Sequence, residues 1–251
     1  MSQHQSSDIP WDAGVMDAGY AHDRLKKPHL KYRYQVRAQL AVNAYKEFHP
    51  HHSDVRTLEM GAAEGLTLLQ IARQFGFQGE FIGVELAEDL LAQAPTLPEN
   101  VKLMQGNVME LPEELEDNSF DLCTCLAVLE HLPDPQTCLN EAFRILKPGG
   151  LFVATCPHPM WDQIAGFAGL VKDAYHMDHV TMKKMAVWAE RAQFQPVITR
   201  PFMWVVSGFM PYFGVSLPID FSLKLDAMLK KLGTLNLAYV NQALIAQKPF
   251  A

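Results

Sequence analysis

The chain has 251 residues, 49% of them hydrophobic, and a formal net charge of −7. A chain of this length can bury one sizeable core, so we expect a single domain over residues 1–251. The acidic balance disfavours an extended phosphate-binding surface, so nucleic acid is not an expected partner.

The four cysteines, Cys123, Cys125, Cys138 and Cys156, lack the paired spacing of a zinc site and fall in or beside segments that resemble core. We expect buried free thiols and no metal. The polar start of the chain shows no basic-then-apolar signal pattern, so a cytoplasmic location is expected.

Residues 1–54 predict N-terminal lead-in helices, because a basic cluster between Arg24 and Arg37 runs into apolar positions at helical spacing. Strands and helices then alternate. Strands are predicted at 55–60, 80–85, 101–105, 120–126, 151–155, 195–206 and 238–247, and helices at 66–75, 89–94, 135–146 and 178–194. This alternation predicts an α/β fold with a doubly wound, mostly parallel seven-stranded sheet, helices on both faces, and ligands at the carboxyl ends of the strands.

Residues 56–65 predict a short buried strand that runs through a glycine turn into a helix. Glycine lets the backbone approach a ligand closely, and the helix presents free N–H groups to it. Such turns serve dinucleotides, S-adenosylmethionine (SAM) or plain packing, so the turn by itself leaves the ligand open.

Five sequence blocks, in a fixed order along the chain, narrow the choice among these ligands. They are Leu58-Glu-Met-Gly-Ala-Ala-Glu-Gly65, Ile82-Gly-Val-Glu-Leu86, Gln105-Gly-Asn107, Ser119-Phe-Asp-Leu122 with Leu129-Glu-His-Leu-Pro133, and Arg144-Ile-Leu-Lys-Pro-Gly-Gly150. Together they resemble the class I, Rossmann-like SAM-dependent methyltransferases, of the methyltransferase-11-like group. The motifs cover about residues 30 to 160. The resemblance implies SAM as cofactor, a SAM-binding core at 55–160, an antiparallel last strand, and in-line methyl transfer to a small-molecule or lipid-like acceptor.

The resemblance also implies roles for the turn. Glu59 supports the turn and the amino group of the cofactor, and the backbone of Gly61, Ala62, Ala63 and Gly65 approaches the ligand. Alanine replaces the usual middle glycine of the family. Because positive φ is costly for alanine, residue 63 is expected to adopt a right-handed conformation, or the loop to leave slightly more room.

Further cofactor contacts follow along the sheet. Glu85 stands twenty residues after Gly65 and is expected to accept the ribose hydroxyls. An asparagine replaces the family's adenine-binding aspartate and could accept the same hydrogen bond through its side-chain oxygen. Either Arg33 or Arg37 could meet the ligand carboxylate. The remaining expected contacts are Leu86, Asn107, Val108 and Leu126.

Two histidines are candidate bases, His131 in the Leu-Glu-His-Leu block and His158 after the fifth strand. Each could accept a proton from the acceptor or only shape its loop. Asp121, at the start of the fourth strand, is expected to be structural.

An apolar lobe at about residues 201–236 is inserted before the last strand, within a C-terminal part that spans 161–251. Residues 201–219 carry no charged side chain, but Pro211 and Pro218 argue against a transmembrane helix. A lid over a hydrophobic acceptor, peripheral contact with a membrane and a homodimer interface all stay open.

Two other functions compete with catalysis. Ala63 and Asn107 depart from the family pattern and would favour a non-catalytic regulatory protein that binds SAM or S-adenosylhomocysteine (SAH). An NAD-dependent oxidoreductase is disfavoured, because the turn does not match the dinucleotide fingerprint.

Overall fold

The structure is a computed structural model that describes residue 16, residues 18–167 and residues 179–250. Its N-terminal part forms two helices, α1 (Ala18–Lys26) and α2 (Pro28–Phe48). Pro28 opens α2, where the missing N–H of proline costs nothing. The apolar face of α2, which includes Val36 and Leu40, is buried, and the helix packs on α3 (Leu66–Gln74).

One seven-stranded sheet organises the rest of the chain. Its strands are β1 (Thr57–Met60), β2 (Phe81–Glu85), β3 (Val101–Gln105), β4 (Phe120–Leu126), β5 (Leu146–Pro157), β6 (Val197–Trp204) and β7 (Tyr239–Gln247). The strand order is β3-β2-β1-β4-β5-β7-β6, and β7 is antiparallel to both of its neighbours. The predicted fold class, including the direction of the last strand, is confirmed.

Helices cover both faces of this sheet. They are α3 (Leu66–Gln74), α4 (Glu88–Leu91), α5 (Pro135–Ile145), α6 (Pro159–Phe167), α7 (Met182–Arg191), α8 (Val205–Phe209) and α9 (Ile219–Lys231). The predicted helix at 178–194 is shorter in the structure, and its first residue lies outside the described part of the chain. The two faces bury separate clusters: Leu58 and Cys123 belong to one, and Leu122 and Val153 to the other.

The sixth strand is shorter than predicted, because it ends at Trp204 and not at residue 206. The Asp226 carboxylate on α9 accepts hydrogen bonds from the backbone N–H groups of Met203 and Trp204, at 2.6 and 2.9 Å. Met203 has φ of +62°, which is unusual for a residue with a side chain. The chain leaves the sheet there, so the lobe comprises residues 205–238.

No helix in residues 18–167 or 179–250 has both the length and the hydropathy needed to span a membrane. The same part of the chain holds no group of three or more His, Cys, Asp or Glu side chains placed to bind a metal ion. All four cysteines are buried and free.

Candidate active site

A cavity of about 930 Å³, including its open mouth, lies at the carboxyl ends of β1, β2 and β4. Helices α1 and α2 supply one wall of it. The predicted site residues that line the cavity are Arg37, Gly61, Ala63, Glu85, Leu86, Asn107, Val108, Leu126 and His131. Glu59, Ala62, Gly65 and His158 do not line it.

The turn after β1 has a left-handed backbone at three positions. The φ angles of Gly61, Ala63 and Gly65 are +77°, +49° and +83°. Of the two alternatives for Ala63, the right-handed conformation is therefore wrong. Its N–H donates to Glu85 Oε2 at 2.9 Å, and this bond holds the alanine in its strained conformation. A Cβ on Gly61 would lie 2.4 Å from a methyl group of Val128, so only glycine fits there.

The Glu85 carboxylate ends β2 and ties two loops together. Oε2 accepts from Ala63 N–H and Oε1 from Ala87 N–H, both at 2.9 Å, while the residue is 9% exposed. A carboxylate offers about four acceptor positions. Two of them are thus used by the protein, and the rest are available to a ligand in the cavity.

Asn107 shapes its own loop. Its Oδ1 accepts from the backbone N–H of Met109 at 2.9 Å, a hydrogen bond that closes an Asx turn. The amide oxygen has a second lone pair, so it keeps capacity for one further donor. The sequence showed the residue type but not this internal bond.

Arg24 is a cavity residue for which we predicted no site role. It is 6% exposed, lines the cavity, and its Nη1 lies 3.2 Å from Glu64 Oε2. The guanidinium also lies within 6 Å of two tyrosine rings, those of Tyr20 and Tyr34. The only signal in the sequence was the basic cluster itself, since nothing local tells which of its members turns inward.

Arg37 differs from Arg24 in its surroundings. Its Nη2 donates to Asn241 Oδ1 at 3.4 Å, and its buried Nε has no partner among the described residues. Burial lowers the pKa of the guanidinium. Arg33, the other predicted candidate, instead donates to the Tyr212 hydroxyl at 3.2 Å. Arg33 and Arg37 were both predicted to meet the ligand carboxylate. Of these two, only Arg37 lines the cavity.

A family model described as a methyltransferase domain matches residues 51–196. The chain belongs to the SAM-dependent methyltransferase family. A demethylmenaquinone methyltransferase of Staphylococcus aureus is 36% identical over 102 residues, which make up 39% of this chain and 42% of that relative. The chain spans less than half the length of the first two curated relatives that it matches, 46% and 42%.

Solved structures with the same fold have lower identity. A SAM-dependent methyltransferase of Thermotoga maritima superposes with a TM-score of 0.61 at 18% identity, over 92% of this chain and 94% of that one. A phosphoethanolamine N-methyltransferase of Haemonchus contortus, in complex with SAM, gives 0.57 at 17% identity, over 94% of this chain and 61% of that one.

The residues of the methyltransferase cavity fit SAM. The left-handed turn brings the backbone to the cavity wall, and Glu85 keeps free acceptor positions beside it. Glu59 is 2% exposed, its Oε2 has no hydrogen-bond partner among the described residues, and burial raises its pKa to about 8. A buried carboxyl oxygen without a partner is costly, and the ammonium of an amino acid could satisfy it.

The two histidines lie in different settings. His131 ends the 3₁₀ turn Leu129–His131 after β4 and lines the cavity. The ring nitrogen Nδ1 of His158 accepts from the backbone N–H of Met160 at 3.3 Å, and burial lowers its pKa. Asp121 is structural as expected, since it accepts from Arg56 N–H at 2.9 Å and from Lys147 Nζ at 2.7 Å.

The apolar lobe does not close this cavity. None of the described residues that line the cavity comes from 205–238, whereas Met16, Tyr20 and Arg24, near the start of the chain, do line it. Lobe residue Tyr212 packs on His29 of α2, with ring centroids 4.0 Å apart.

Proposed function

We propose that residues 1–251 act as one catalytic unit that transfers a methyl group from SAM to a small-molecule or lipid-like acceptor in the cytoplasm. The observation that carries the proposal is the Glu85 carboxylate, held by two backbone N–H groups at the edge of the cavity with acceptor positions left over. Ribose hydroxyls are suitable donors for them.

The other residues of the site are assigned to parts of the cofactor by the chemistry of their side chains. We assign Asn107 and Val108 to the adenine and Leu86 to the ribose, because all three line the cavity. Arg37, which has no ion-pair partner in the described part of the chain, suits the cofactor carboxylate. Glu59 does not line the cavity, so we propose that it reaches the amino group of the cofactor through water.

Bound SAM would supply an electrophilic methyl group on a sulfonium. The protein's own work is to hold the acceptor in line with that methyl group and to keep water out, and well-oriented groups can reach effective molarities of about 10⁵ M and above. His131 is the candidate that we propose to take a proton from an acceptor hydroxyl or amine; its support is that it lines the cavity.

A lipid-like acceptor is supported by the cavity wall and by one relative. Met109, Val128 and Leu132 bring apolar side chains to the cavity. The relative from Staphylococcus aureus is named a demethylmenaquinone methyltransferase. We therefore propose an apolar acceptor over a highly charged one.

Calorimetry with SAM, SAH and NAD tests the cofactor assignment. We expect Glu85→Gln to weaken SAH binding at least about tenfold, because a charged acceptor contributes roughly 1.5 to 3 kcal/mol. Glu88→Gln, at an exposed position of α4, is the matched control and should bind as the wild type does.

Glu85 also holds the turn, so the ribose contact needs its own control. SAH without the two ribose hydroxyls should lose affinity for the wild type and should be insensitive to Glu85→Gln. Equal losses for both ligands would assign Glu85 to the turn alone. Incubation of cell extract with labelled SAM then separates an enzyme from a regulatory SAM-binding protein, since the latter would bind SAH tightly and label nothing.

A further inference from the structure

Helix α9 of the lobe buries two polar side chains and exposes large apolar ones. Ser222 and Asp226 are 0% and 4% exposed. Phe221 and Met228, on the outer face, are 54% and 50% exposed, and Leu232 at the end of the helix is 75% exposed. A helix that only packs on its own core shows the opposite arrangement. The outer face of α9 therefore has the composition of a surface that is covered when the protein works.

The apolar surface extends beyond α9. Eight of the thirteen large hydrophobic side chains that are exposed in the described part of the chain lie in residues 205–238. The other five in the lobe are Val206, Phe213, Val215, Leu235 and Leu237. Such a concentration marks an interaction surface, whereas hydrophobic side chains scattered singly do not.

The charge on the lobe is opposite to the charge of the chain. Lys224, Lys230 and Lys231 are exposed on α9, and none of them forms an ion pair with a described carboxylate. Asp220 is the one exposed acid in 205–238, because Asp226 is buried. The lobe thus presents a net positive apolar surface on a chain whose formal charge is −7.

We propose that the lobe docks on an anionic lipid bilayer. The apolar side chains of α9 and of the neighbouring turns would enter the boundary between headgroups and acyl chains, and the lysines would meet lipid phosphates. Lipid phosphates complement the charge of this surface, whereas a two-fold contact between copies sets the same net positive surface against itself. Docking is independent of the acceptor's identity, so its test needs no turnover.

The test is co-sedimentation of the protein with vesicles. One set contains phosphatidylcholine alone, and the other equal parts of phosphatidylcholine and phosphatidylglycerol. Phe221→Ser combined with Leu232→Ser removes apolar contacts, and Phe77→Ser is the control at an exposed apolar site outside the lobe. Lys224→Glu reverses one charge, and Lys183→Glu on α7 is its control.

We expect binding to the anionic vesicles, much less to phosphatidylcholine, and a loss of binding as salt is raised. Lys224→Glu should weaken binding at least about fivefold, since one lysine near such a surface contributes about 1 kcal/mol. The double variant should weaken it by a similar factor or more, and both controls should bind as the wild type does.

Three results would overturn the proposal. The first is that neither vesicle binds the protein. The second is that the lobe variants bind as well as their controls. The third is a dimer in light scattering that dissociates in the double variant, since the apolar surface would then be covered by a second copy of the chain. Circular dichroism shows whether each variant is folded; the substituted side chains are exposed, so folding should be retained.

Discussion

The buried Asp226 carboxyl should make the free energy of unfolding depend on pH. Asp226 is 4% exposed and accepts two backbone hydrogen bonds at the end of β6. Burial outweighs those bonds and raises the pKa of the carboxyl from 3.8 to about 6. Asp226→Asn keeps the shape of the side chain and removes the titration.

The direction of this pH dependence follows from the pKa values of the carboxyl in the unfolded and in the folded protein. A carboxyl whose pKa is higher in the folded protein binds its proton more tightly there, so folding is favoured at low pH and loses stability as pH rises from 3.8 to about 6. A rise of that size corresponds to about 3 kcal/mol, since one pKa unit is about 1.4 kcal/mol. Most of this change in the free energy of unfolding occurs between pH 4 and pH 7.

Urea unfolding of the wild type and of Asp226→Asn at several pH values measures the effect. The difference in free energy of unfolding between the two proteins cancels the other groups that titrate in this range, as long as they do not contact Asp226. We expect the wild type to gain about 2 to 3 kcal/mol over the variant when pH falls from 7 to 4. A difference that stays flat, or that moves against the wild type on acidification, would refute burial as the dominant influence on this carboxyl.

Two further predictions concern the cavity. Gly61→Ala should weaken SAH binding in calorimetry far more than Gly214→Ala, because both positions have positive φ, +77° and +76°, but only at Gly61 does the new Cβ meet Val128; equal affinities would show that the turn can move away. His131→Ala should lower turnover by about 10² or more while SAH affinity is kept, whereas His158→Ala should have little effect, because only His131 lines the cavity. If turnover of the His131 variant is near normal on the identified acceptor, positioning alone accounts for catalysis.

The local sequence determined the sheet and its ligand edge. Strands and helices alternate with periods that only one kind of layered packing can bury; the glycine turn directly follows the first strand, and Glu85 ends the second. Most of the cavity residues that the sequence identified stand at or just after the end of a strand; Arg37 on α2 is an exception. Their position depends on the backbone of their own strand and little else.

Some features depend on contacts between residues that are far apart in the sequence, and only the tertiary structure decided these. The left-handed conformation of Ala63 depends on the hydrogen bond that its N–H donates to the carboxylate of Glu85, 22 residues away. The end of β6 rests on Asp226, which lies beyond the predicted strand, and Arg24 turns inward because Glu64 and Thr67 meet it there. Local periodicity carries no information on such pairs. It also could not tell which face of α9 is outside, because that helix buries Ser222 and Asp226 against the rest of the chain and leaves Phe221 and Met228 exposed.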